Sequence, residues 1–304
     1  MEWTAEVRVD EALARRLIGG QFPGLRLLSL EAFAEGWDNS VWLVNGSLLF
    51  RFPRRAIAIP GVQREMEVLP DLAPLLPLPV PRPELLGKPT GGYPWPFFGA
   101  PLIAGREASD VDLDGPARAA LARPLALFLR RLHSPEVAGA ITGAHELPAD
   151  PMGRADMARR VPRARSALEE VERLRLWAAP ASIWALLDAA EPLPAPEPEC
   201  VVHGDLHFRH LLIGDDGGLT GVVDWGDLCF GCRSIDLQLL WSFLPPEARP
   251  CFLDAYGPVA GDDLLRARVL AFFLSAMLAA YGHEAGMSNV EREAVGSLER
   301  AESD

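Results

Sequence analysis

The segment that decides the fold is Val202–Ile213, VHGDLHFRHLLI, together with VVDWG at Val222–Gly226. Apolar residues on either side of a polar turn predict two short strands, and Asp215–Gly218 supplies the tight turn between them. We therefore predict a β-hairpin that carries Asp205 in the loop before its first strand and Asp224 just after its second. Such a hairpin would bring both carboxylates to one cleft.

The order and spacing of these residues resemble the catalytic loop of protein kinases, H-R-D-L-x-x-x-N, followed by D-F-G. His203, Asp205 and His210 stand at the positions of its His, Asp and Asn, and Asp224-Trp225-Gly226 stands at D-F-G. Phosphoryl transfer asks a protein mainly for positioning and charge neutralisation. The resemblance implies that Asp205 is the catalytic base and that Asp224 and His210 hold Mg²⁺. His203, also in the catalytic set, would order the loop by hydrogen bonds rather than act in proton transfer.

H-G-D-L-H followed by V-D-W-G-D also looks like the aminoglycoside phosphotransferase family, whose members phosphorylate macrolides, choline and related small molecules as well. The resemblance covers roughly residues 25–285 and is strong at 201–240. Further similar segments are Leu48–Arg54, Arg64–Leu69, Phe97–Gly105, Phe128–His133 and Gly231–Leu237. It implies an α+β, two-lobe protein-kinase-like fold, with an antiparallel-sheet N-lobe and a mainly helical C-lobe. ATP or GTP would bind between the lobes with Mg²⁺.

The strand signals lie in the N-terminal part of the chain. Arg26–Phe33, Ser40–Val44 and Ser47–Phe52 have strand character, and Asn45-Gly46 is a strong hairpin signal. Residues 70–101 hold ten of the 28 prolines, so this stretch cannot be a regular central element, although Leu85–Leu86 and Phe97–Phe98 within it could be edge or short strands. We read it as the crossing between an N-terminal nucleotide-binding lobe, 1–100, and a C-terminal catalytic and substrate-binding lobe, 101–304.

Apolar residues at helical spacing predict the helices, most of them in the C-terminal part. The predicted segments are Glu11–Ile18, Val62–Leu72, Pro116–His133, Ala155–Ala190, Ala248–Tyr256, Asp262–Tyr281 and Asn289–Glu299. We expect Gly19-Gly20 to end the first of them, and Pro162 and Pro180 to break the fourth.

The resemblance also assigns residues that would bind the nucleotide. Arg51 stands where the family has a phosphate-pairing lysine; the single lysine, Lys88, falls in the Pro-rich crossing and cannot be that residue. An arginine keeps the charge and adds a bidentate fork. Glu65 would be its partner acid on the following helix, with Glu67 as the alternative if the register shifts. For either glutamate, an exposed helical position without function is the competing interpretation.

The predicted phosphate loop, Gly36–Ser40, has one glycine and not a G-x-G-x-x-G pattern. The resemblance implies that Gly36, Asn39 and Ser40 contact the nucleotide. Asp227 would face a cationic substrate, and a solvated turn carboxylate is an equal alternative. Asp236 would cap a helix or brace the catalytic loop.

Composition limits the partners that we expect. The formal net charge of −13 argues against non-specific nucleic-acid binding and suits a cationic small molecule, although it equally keeps a protein in solution. Residues 1–10 lack a signal-peptide pattern, and the apolar run Val269–Tyr281 is shorter than the about 20 residues of a membrane span. We therefore expect a cytoplasmic monomer or homodimer that does not bind membranes.

Cys229 and Cys232 form a C-x-x-C pair, but no second pair has the spacing of a structural zinc site. We interpret the four cysteines as reduced structural thiols.

His210 departs from the kinase pattern, which has Asn at this position, and Mg²⁺ prefers oxygen ligands to imidazole. This departure bears on the substrate. Macrolide phosphotransferases resemble this chain in having a histidine there and an aromatic residue after the second Asp. This favours a macrolide-like substrate over an aminoglycoside, and GTP over ATP. A metabolic kinase for choline, a sugar or an amino-alcohol is the alternative. A catalytically inactive nucleotide-binding protein is another, favoured by His210 and opposed by the presence of both Asp205 and Asp224.

Overall fold

The computed structural model describes residues 5–36 and 38–303 of the 304-residue chain. Trp37 of the predicted phosphate loop and the first four residues of the N-terminal stretch lie outside these ranges. Ten strands and eleven α-helices lie within them. The predicted combination of an antiparallel N-terminal sheet with a mainly helical C-terminal part is confirmed.

The described residues form two compact units. The first comprises the chain up to Leu75, Pro79–Ala104 and Asp224–Asp227. The second comprises Leu76–Leu78, Gly105–Val223 and the chain from Leu228 onward. The D-W-G segment thus belongs to the first unit, and the hairpin that precedes it belongs to the second. The functional division at 100/101 stays a prediction.

The first unit is built on one antiparallel sheet in the order β1-β2-β3-β5-β4. Its strands are β1 (Leu30–Glu35), β2 (Asn39–Val44), β3 (Leu48–Pro53), β4 (Leu85–Gly87) and β5 (Phe97–Pro101). The hairpin signal is confirmed: Asn45 and Gly46 have φ of 53° and 66°, and β2 pairs with β3 across the turn. Asn and Gly tolerate this left-handed conformation better than other residues.

The alternation of side chains along β2 and β3 divides them between two faces of the sheet. On one face, Trp42, Phe50 and Phe52 are buried in the core cluster that includes the apolar residues of the first helix. Arg51 lies on the opposite face, and so does Asn39, because the register pairs Arg51 with Val41, two residues along β2. The sheet therefore presents Arg51 and Asn39 side by side.

Helices α1 (Glu11–Gln21) and α2 (Ile59–Leu72) complete the first unit. Asp10 caps α1 by accepting a hydrogen bond from the Leu13 N–H at 2.8 Å. The predicted end at Gly19-Gly20 was wrong, because the helix continues through both glycines to Gln21, with Leu17 and Ile18 buried in the core.

The second unit holds the remaining helices. They are α3 (Gly115–Leu132), α4 (Pro135–Thr142), α5 (Met157–Arg173), α6 (Ala181–Ala190), α7 (Ser234–Leu237), α8 (Leu239–Ser242), α9 (Arg249–Tyr256), α10 (Gly261–Glu284) and α11 (Ser288–Glu302). Pro162 does not break α5, contrary to the prediction. An internal proline costs about 3 kcal/mol, and the buried face of α5, which packs on α10, offsets that cost.

Two small antiparallel sheets hold the predicted catalytic loop in the second unit. One joins β6 (Arg106–Glu107), β8 (Leu211–Ile213) and β9 (Leu219–Val222), and the other joins β7 (Cys200–Val202) and β10 (Cys229–Gly231). The predicted hairpin is β8–β9 and is confirmed. The catalytic loop connects β7 to β8, and Asp224 follows β9 by two residues.

Helix α10 contains the apolar run at Val269–Tyr281, but the helix is 24 residues long and is therefore not too short to span a membrane, contrary to the expectation from the run. By length and composition alone, α10 could cross a membrane; its most apolar window has a mean hydropathy of 1.6. Half of that window is buried, and α10 packs against α5, α6, α7, α8 and α11. This packing is that of a core helix.

Candidate active site

In the first unit, Arg51 of β3 binds two carboxylates. Its Nη1 donates to Glu65 Oε1 at 3.0 Å, and its Nη2 donates to Asp224 Oδ1 at 2.7 Å. Burial would lower the pKa of Arg51, but the charges of Asp224 and Glu65 raise it above its ordinary value, so the guanidinium stays cationic. The structure thus brings together three residues that the sequence assigned to nucleotide and metal.

Glu65 belongs to the buried stripe of α2, with Val62 and Leu69 a turn before and after it. Its side chain is 0% exposed, and burial raises its pKa to about 7, with the charge of Arg51 opposing the shift. Glu67, the alternative partner, is exposed. The structure therefore assigns the ion pair with Arg51 to Glu65.

The D-W-G segment is held against α2. The Trp225 N–H donates to Glu65 Oε1 at 3.1 Å, and Arg64 Nη1 donates to the Gly226 carbonyl at 2.7 Å. A Cβ on Gly61 would lie 2.9 Å from the Gly226 carbonyl oxygen, so the helix needs glycine at this approach. Asp224 adopts φ of 65°, a conformation that Asp tolerates better than most residues. These contacts therefore fix the backbone from which the Asp224 side chain extends.

The loop before β2 is held by arginines that follow Arg51 in the chain. Arg54 Nη1 binds Glu35 Oε1 and the Gly36 carbonyl, both at 2.9 Å, and Arg55 Nη1 binds Asp38 Oδ1 at 3.0 Å. The Gly36 N–H donates to the Asn39 carbonyl at 2.9 Å. The loop that the sequence assigned to the phosphates is thus anchored to the end of β3.

The predicted phosphate-loop residues do not share one side of the sheet. Ser40 is buried on the face opposite Arg51, since it pairs with Phe52. Asn39 lies on the face of Arg51. Asp227 follows the D-W-G segment, and its charge adds to the effect of burial in raising the pKa values of Asp38 and Glu65. Asp227 therefore lies within electrostatic reach of this cluster.

In the second unit, Asp236 of α7 holds the backbone of the catalytic loop. Its Oδ2 accepts from the His203 N–H at 2.8 Å, and its Oδ1 accepts from the Gly204 N–H at 3.1 Å. His133 Nε2 lies 3.1 Å from Oδ2, and Tyr256 Oη lies 2.8 Å from His133 Nδ1. Burial alone would raise the pKa of Asp236, but the hydrogen bond and charge of His133 lower it. Of the two roles that the sequence left open for Asp236, the structure shows the brace.

His203 connects the loop before β8 to the residue after β9. Its ring is buried; Nε2 donates to the Val223 carbonyl at 3.0 Å, and Nδ1 accepts the Asp205 N–H at 3.3 Å. A carbonyl only accepts and an N–H only donates, so these partners fix one neutral tautomer. His203 therefore joins the backbone of Asp205 to the residue that precedes Asp224.

Two further histidines surround Asp205. His210 Nδ1 donates to the Asp205 carbonyl at 2.7 Å, which directs the lone pair of a neutral ring to Nε2. His207 Nε2 lies 3.8 Å from Asp205 Oδ2, and the His207 and His210 rings are 3.8 Å apart. The ligating atoms of all three side chains lie within 4.8 Å of one another. The sequence reasoning did not single out His207, although its place two residues after Asp205 is a signal.

Each cluster offers a group that can hold a divalent cation. In the first unit it is the Asp224 carboxylate, 46% exposed, whose oxygen atoms are the donors that Mg²⁺ prefers. In the second it is Nε2 of His210, and imidazole suits zinc and other softer cations better than Mg²⁺. The donor set therefore fits a nucleotide-bound cation, with Asp224 as the stronger candidate ligand.

The chain is similar to solved phosphotransferases over nearly its whole length. "Structure of the GDP and kanamycin complex of APH(2")-IIia" matches with a TM-score of 0.66 and 22% identity, covering 95% of this chain and 97% of that one. The GDP complex of an aminoglycoside 2'-phosphotransferase-IIIa matches with a TM-score of 0.68 and 22% identity, covering 96% and 98%. Macrolide 2'-phosphotransferase type I matches with a TM-score of 0.61 and 20% identity, also covering 96% and 98%. These likenesses confirm the kinase-like fold.

The family is shown by the sequence itself. The model of the phosphotransferase enzyme family, APH, matches residues 29–270, which include every residue of the two clusters described above. The chain therefore belongs to the APH phosphotransferase enzyme family, and it is a phosphotransferase that acts on a hydroxyl acceptor.

Proposed function

We propose that the protein transfers the γ-phosphate of ATP or GTP to a hydroxyl of an antibiotic-like small molecule of the macrolide or aminoglycoside type. The observation that carries the proposal is the double hydrogen bonding of His203. One ring joins the backbone of Asp205, the candidate base, to Val223, which directly precedes Asp224, the candidate metal ligand. This supports a common role for the two carboxylates on one nucleotide.

In the proposed reaction Asp205 accepts the proton of the acceptor hydroxyl as its oxygen bonds to the γ-phosphorus. The bond from that phosphorus to the bridging oxygen breaks, which leaves a nucleoside diphosphate and a phosphate monoester. Asp205 suits this role because its side chain is 31% exposed while its backbone is held by His203 and His210. General-base assistance of this kind contributes about 10²–10⁴ in rate.

Arg51 would bind phosphate oxygens, and Glu65 would orient it. Asp224, with His210 as a second ligand, would hold Mg²⁺, which neutralises phosphate charge when bound. The net charge of −13 and the carboxylate of Asp227 support an acceptor that carries positive charge. One of the similar structures is a complex with GDP and kanamycin, and we extend that chemistry to this chain as part of the proposal. Because nucleotides are cytoplasmic, we propose that the protein acts there, as a monomer or homodimer.

The direct test is an acceptor panel with ATP and GTP supplied in parallel. It includes macrolides, aminoglycosides, choline, sugars and amino-alcohols, and mass spectrometry detects a product heavier by one phosphate group. Asp205→Asn should lower turnover by at least about 100-fold. Asp215→Asn, in the exposed turn of the hairpin, is the matched control and should act like wild type.

Phosphorylation of a metabolite but of no antibiotic would replace the proposed substrate class and keep the reaction. Nucleotide binding without any Asp205-dependent transfer would instead favour an inactive nucleotide-binding protein.

A further inference from the structure

The guanidinium of Arg51 has a third partner besides Glu65 and Asp224. When the Asn39 amide is oriented with its oxygen toward Arg51, that oxygen accepts from Nη2 at 2.8 Å and from Nε at 3.1 Å. The opposite orientation would set the amide NH₂ against guanidinium donors, so hydrogen bonding selects the first. The register of β2 and β3 places Asn39 diagonally across from Arg51 on the same face, within reach of a long side chain.

We infer that Asn39 is a positioning residue that sets the plane of the Arg51 guanidinium, and that arginine can act at this position because Asn39 supplies that third acceptor. As a statement about nucleotide binding, the inference rests on the proposed function. As a statement about the coupling of two side chains, it stands on the geometry alone.

The hydrogen bonds of the Arg51 guanidinium explain why Asn39 is needed to set its plane. Arginine has five N–H bonds in a fixed plane. Four of them are used: Nε and one Nη2 hydrogen by Asn39, the other Nη2 hydrogen by Asp224, and one Nη1 hydrogen by Glu65. Among these partners, a single Nη1 hydrogen is left to meet a phosphate oxygen. Its direction depends on the plane that the three acceptors define.

A lysine at the same position would not need Asn39. Its ammonium is a compact charge with three rotatable donors and no plane to be set. The contact between Asn39 and Arg51 should therefore matter for the native arginine and lose its importance in an Arg51→Lys background. This difference separates a positioning role from a merely structural role in the loop.

The experiment is a double-mutant cycle of Asn39→Leu and Arg51→Lys. Calorimetry measures nucleotide affinity for all four proteins, with GDP and ATP each in Mg²⁺ buffer. We expect Asn39→Leu to weaken binding about tenfold when Arg51 is present, as loss of hydrogen bonds to a charged group does. In the Arg51→Lys background, we expect a change of less than about threefold. Equal effects in the two backgrounds would overturn the inference.

Two further variants define the cause. Asn39→Asp keeps acceptor oxygens for the guanidinium and should keep the coupling to Arg51 in the thermal midpoints of the nucleotide-free proteins, whereas Asn39→Leu keeps only the size and should lose it. Glu11→Gln removes an exposed ion pair of α1, formed with Arg15, and should leave affinity unchanged. A Glu11→Gln protein that is as impaired as Asn39→Leu would show that the loss does not depend on the Asn39 contact and would contradict the inference.

Unfolding of the nucleotide-free proteins separates this inference from the proposed function. Thermal midpoints of the same four proteins should be non-additive, because Asn39 and Arg51 contact each other without any ligand. Absence of nucleotide binding together with non-additive midpoints would defeat the proposed function alone. Additive midpoints would defeat the inference whatever the protein binds.

Discussion

Glu65 and Arg51 form an ion pair in which the carboxylate is fully buried and the guanidinium is 17% exposed. The Glu65 carboxylate accepts from Arg51 and from the Trp225 N–H through the same oxygen, Oε1. Burial raises the pKa of Glu65 to about 7 in spite of these donors. At neutral pH the Glu65 carboxyl is therefore close to its pKa.

The first prediction concerns the pH dependence of stability. The folded pKa of Glu65 is raised from 4.5 to about 7, so the folded state holds a proton that the unfolded state has lost. The stabilising contribution of Glu65 should be fully present below about pH 4.5 and lost as the pH rises through about 7. Denaturant unfolding should give the free energy of unfolding of wild type and Glu65→Gln across this pH range. The difference between the two proteins should change by on the order of 3 kcal/mol from one end of the range to the other.

Glu67→Gln is the control for this measurement, because Glu67 is an exposed glutamate on the same helix. It should reproduce the wild-type pH profile of unfolding. A Glu65→Gln profile parallel to that of wild type would show that Glu65 does not titrate in this window.

The second prediction concerns Asp236. Asp236→Asn replaces one of the two accepting oxygens with an NH₂ group and removes the charge opposite His133, in a side chain that is fully buried. We expect a loss of about 2–4 kcal/mol in the free energy of unfolding and a lower kcat, because the loop before Asp205 loses its brace. Asp254→Asn, on the exposed side of α9, should change neither quantity. Unchanged stability of Asp236→Asn would contradict the brace.

Strand β1 shows where sequence patterns stop being sufficient. Strand character predicted Arg26–Phe33, but the strand is Leu30–Glu35. The reason is the side chain of Asn45, which accepts from the N–H groups of Leu28 and Ser29 and donates to the Arg26 carbonyl. These bonds occupy backbone groups that a longer strand would have paired with its neighbour. A hairpin signal is local, whereas its effect on a third segment is not.

The candidate site shows the same limit. Asp205, Asp224, Arg51 and Glu65 could be named from motifs because each motif is a short run with a fixed spacing. The contact of Asn39 with Arg51 depends on strand register, which the sequence does not state.

The bonds that connect Asp236 to Tyr256 through His133 join residues that lie 103 and 123 positions apart. Helix α4 was missed altogether, although Ser134 followed by Pro135 is a start signal.

The third prediction concerns the thiols. All four cysteines are reduced; Cys200, Cys229 and Cys232 are buried, and Cys251 is exposed. Burial raises the pKa of Cys232 to about 11, which keeps it in the unreactive thiol form. A colorimetric thiol reagent should label one cysteine rapidly in the native protein and all four after unfolding. Rapid labelling of Cys251→Ser would contradict the interpretation of the C-x-x-C pair as buried structural thiols.

The fourth prediction concerns the cation. If His210 is a ligand, wild type should be activated by Co²⁺ at lower concentration than by Mg²⁺, because imidazole favours the later transition metals. His210→Asn supplies an oxygen donor and should move the ratio of the two activating concentrations toward Mg²⁺ by about tenfold. His283→Asn, at an exposed histidine that contacts Glu291, is the control. An unchanged ratio in His210→Asn would exclude His210 from the ligand set.

The proposed reaction depends most on the separate roles of Asp205 as base and Asp224 as metal ligand, and one pair of variants tests them. Affinity for Mn²⁺-nucleotide, measured by calorimetry, and turnover should be determined for wild type, Asp205→Asn and Asp224→Asn. We expect both variants to lose turnover by at least about 100-fold, while affinity falls at least about tenfold in Asp224→Asn alone. Wild-type affinity in Asp224→Asn, or retained turnover in Asp205→Asn, would contradict these roles.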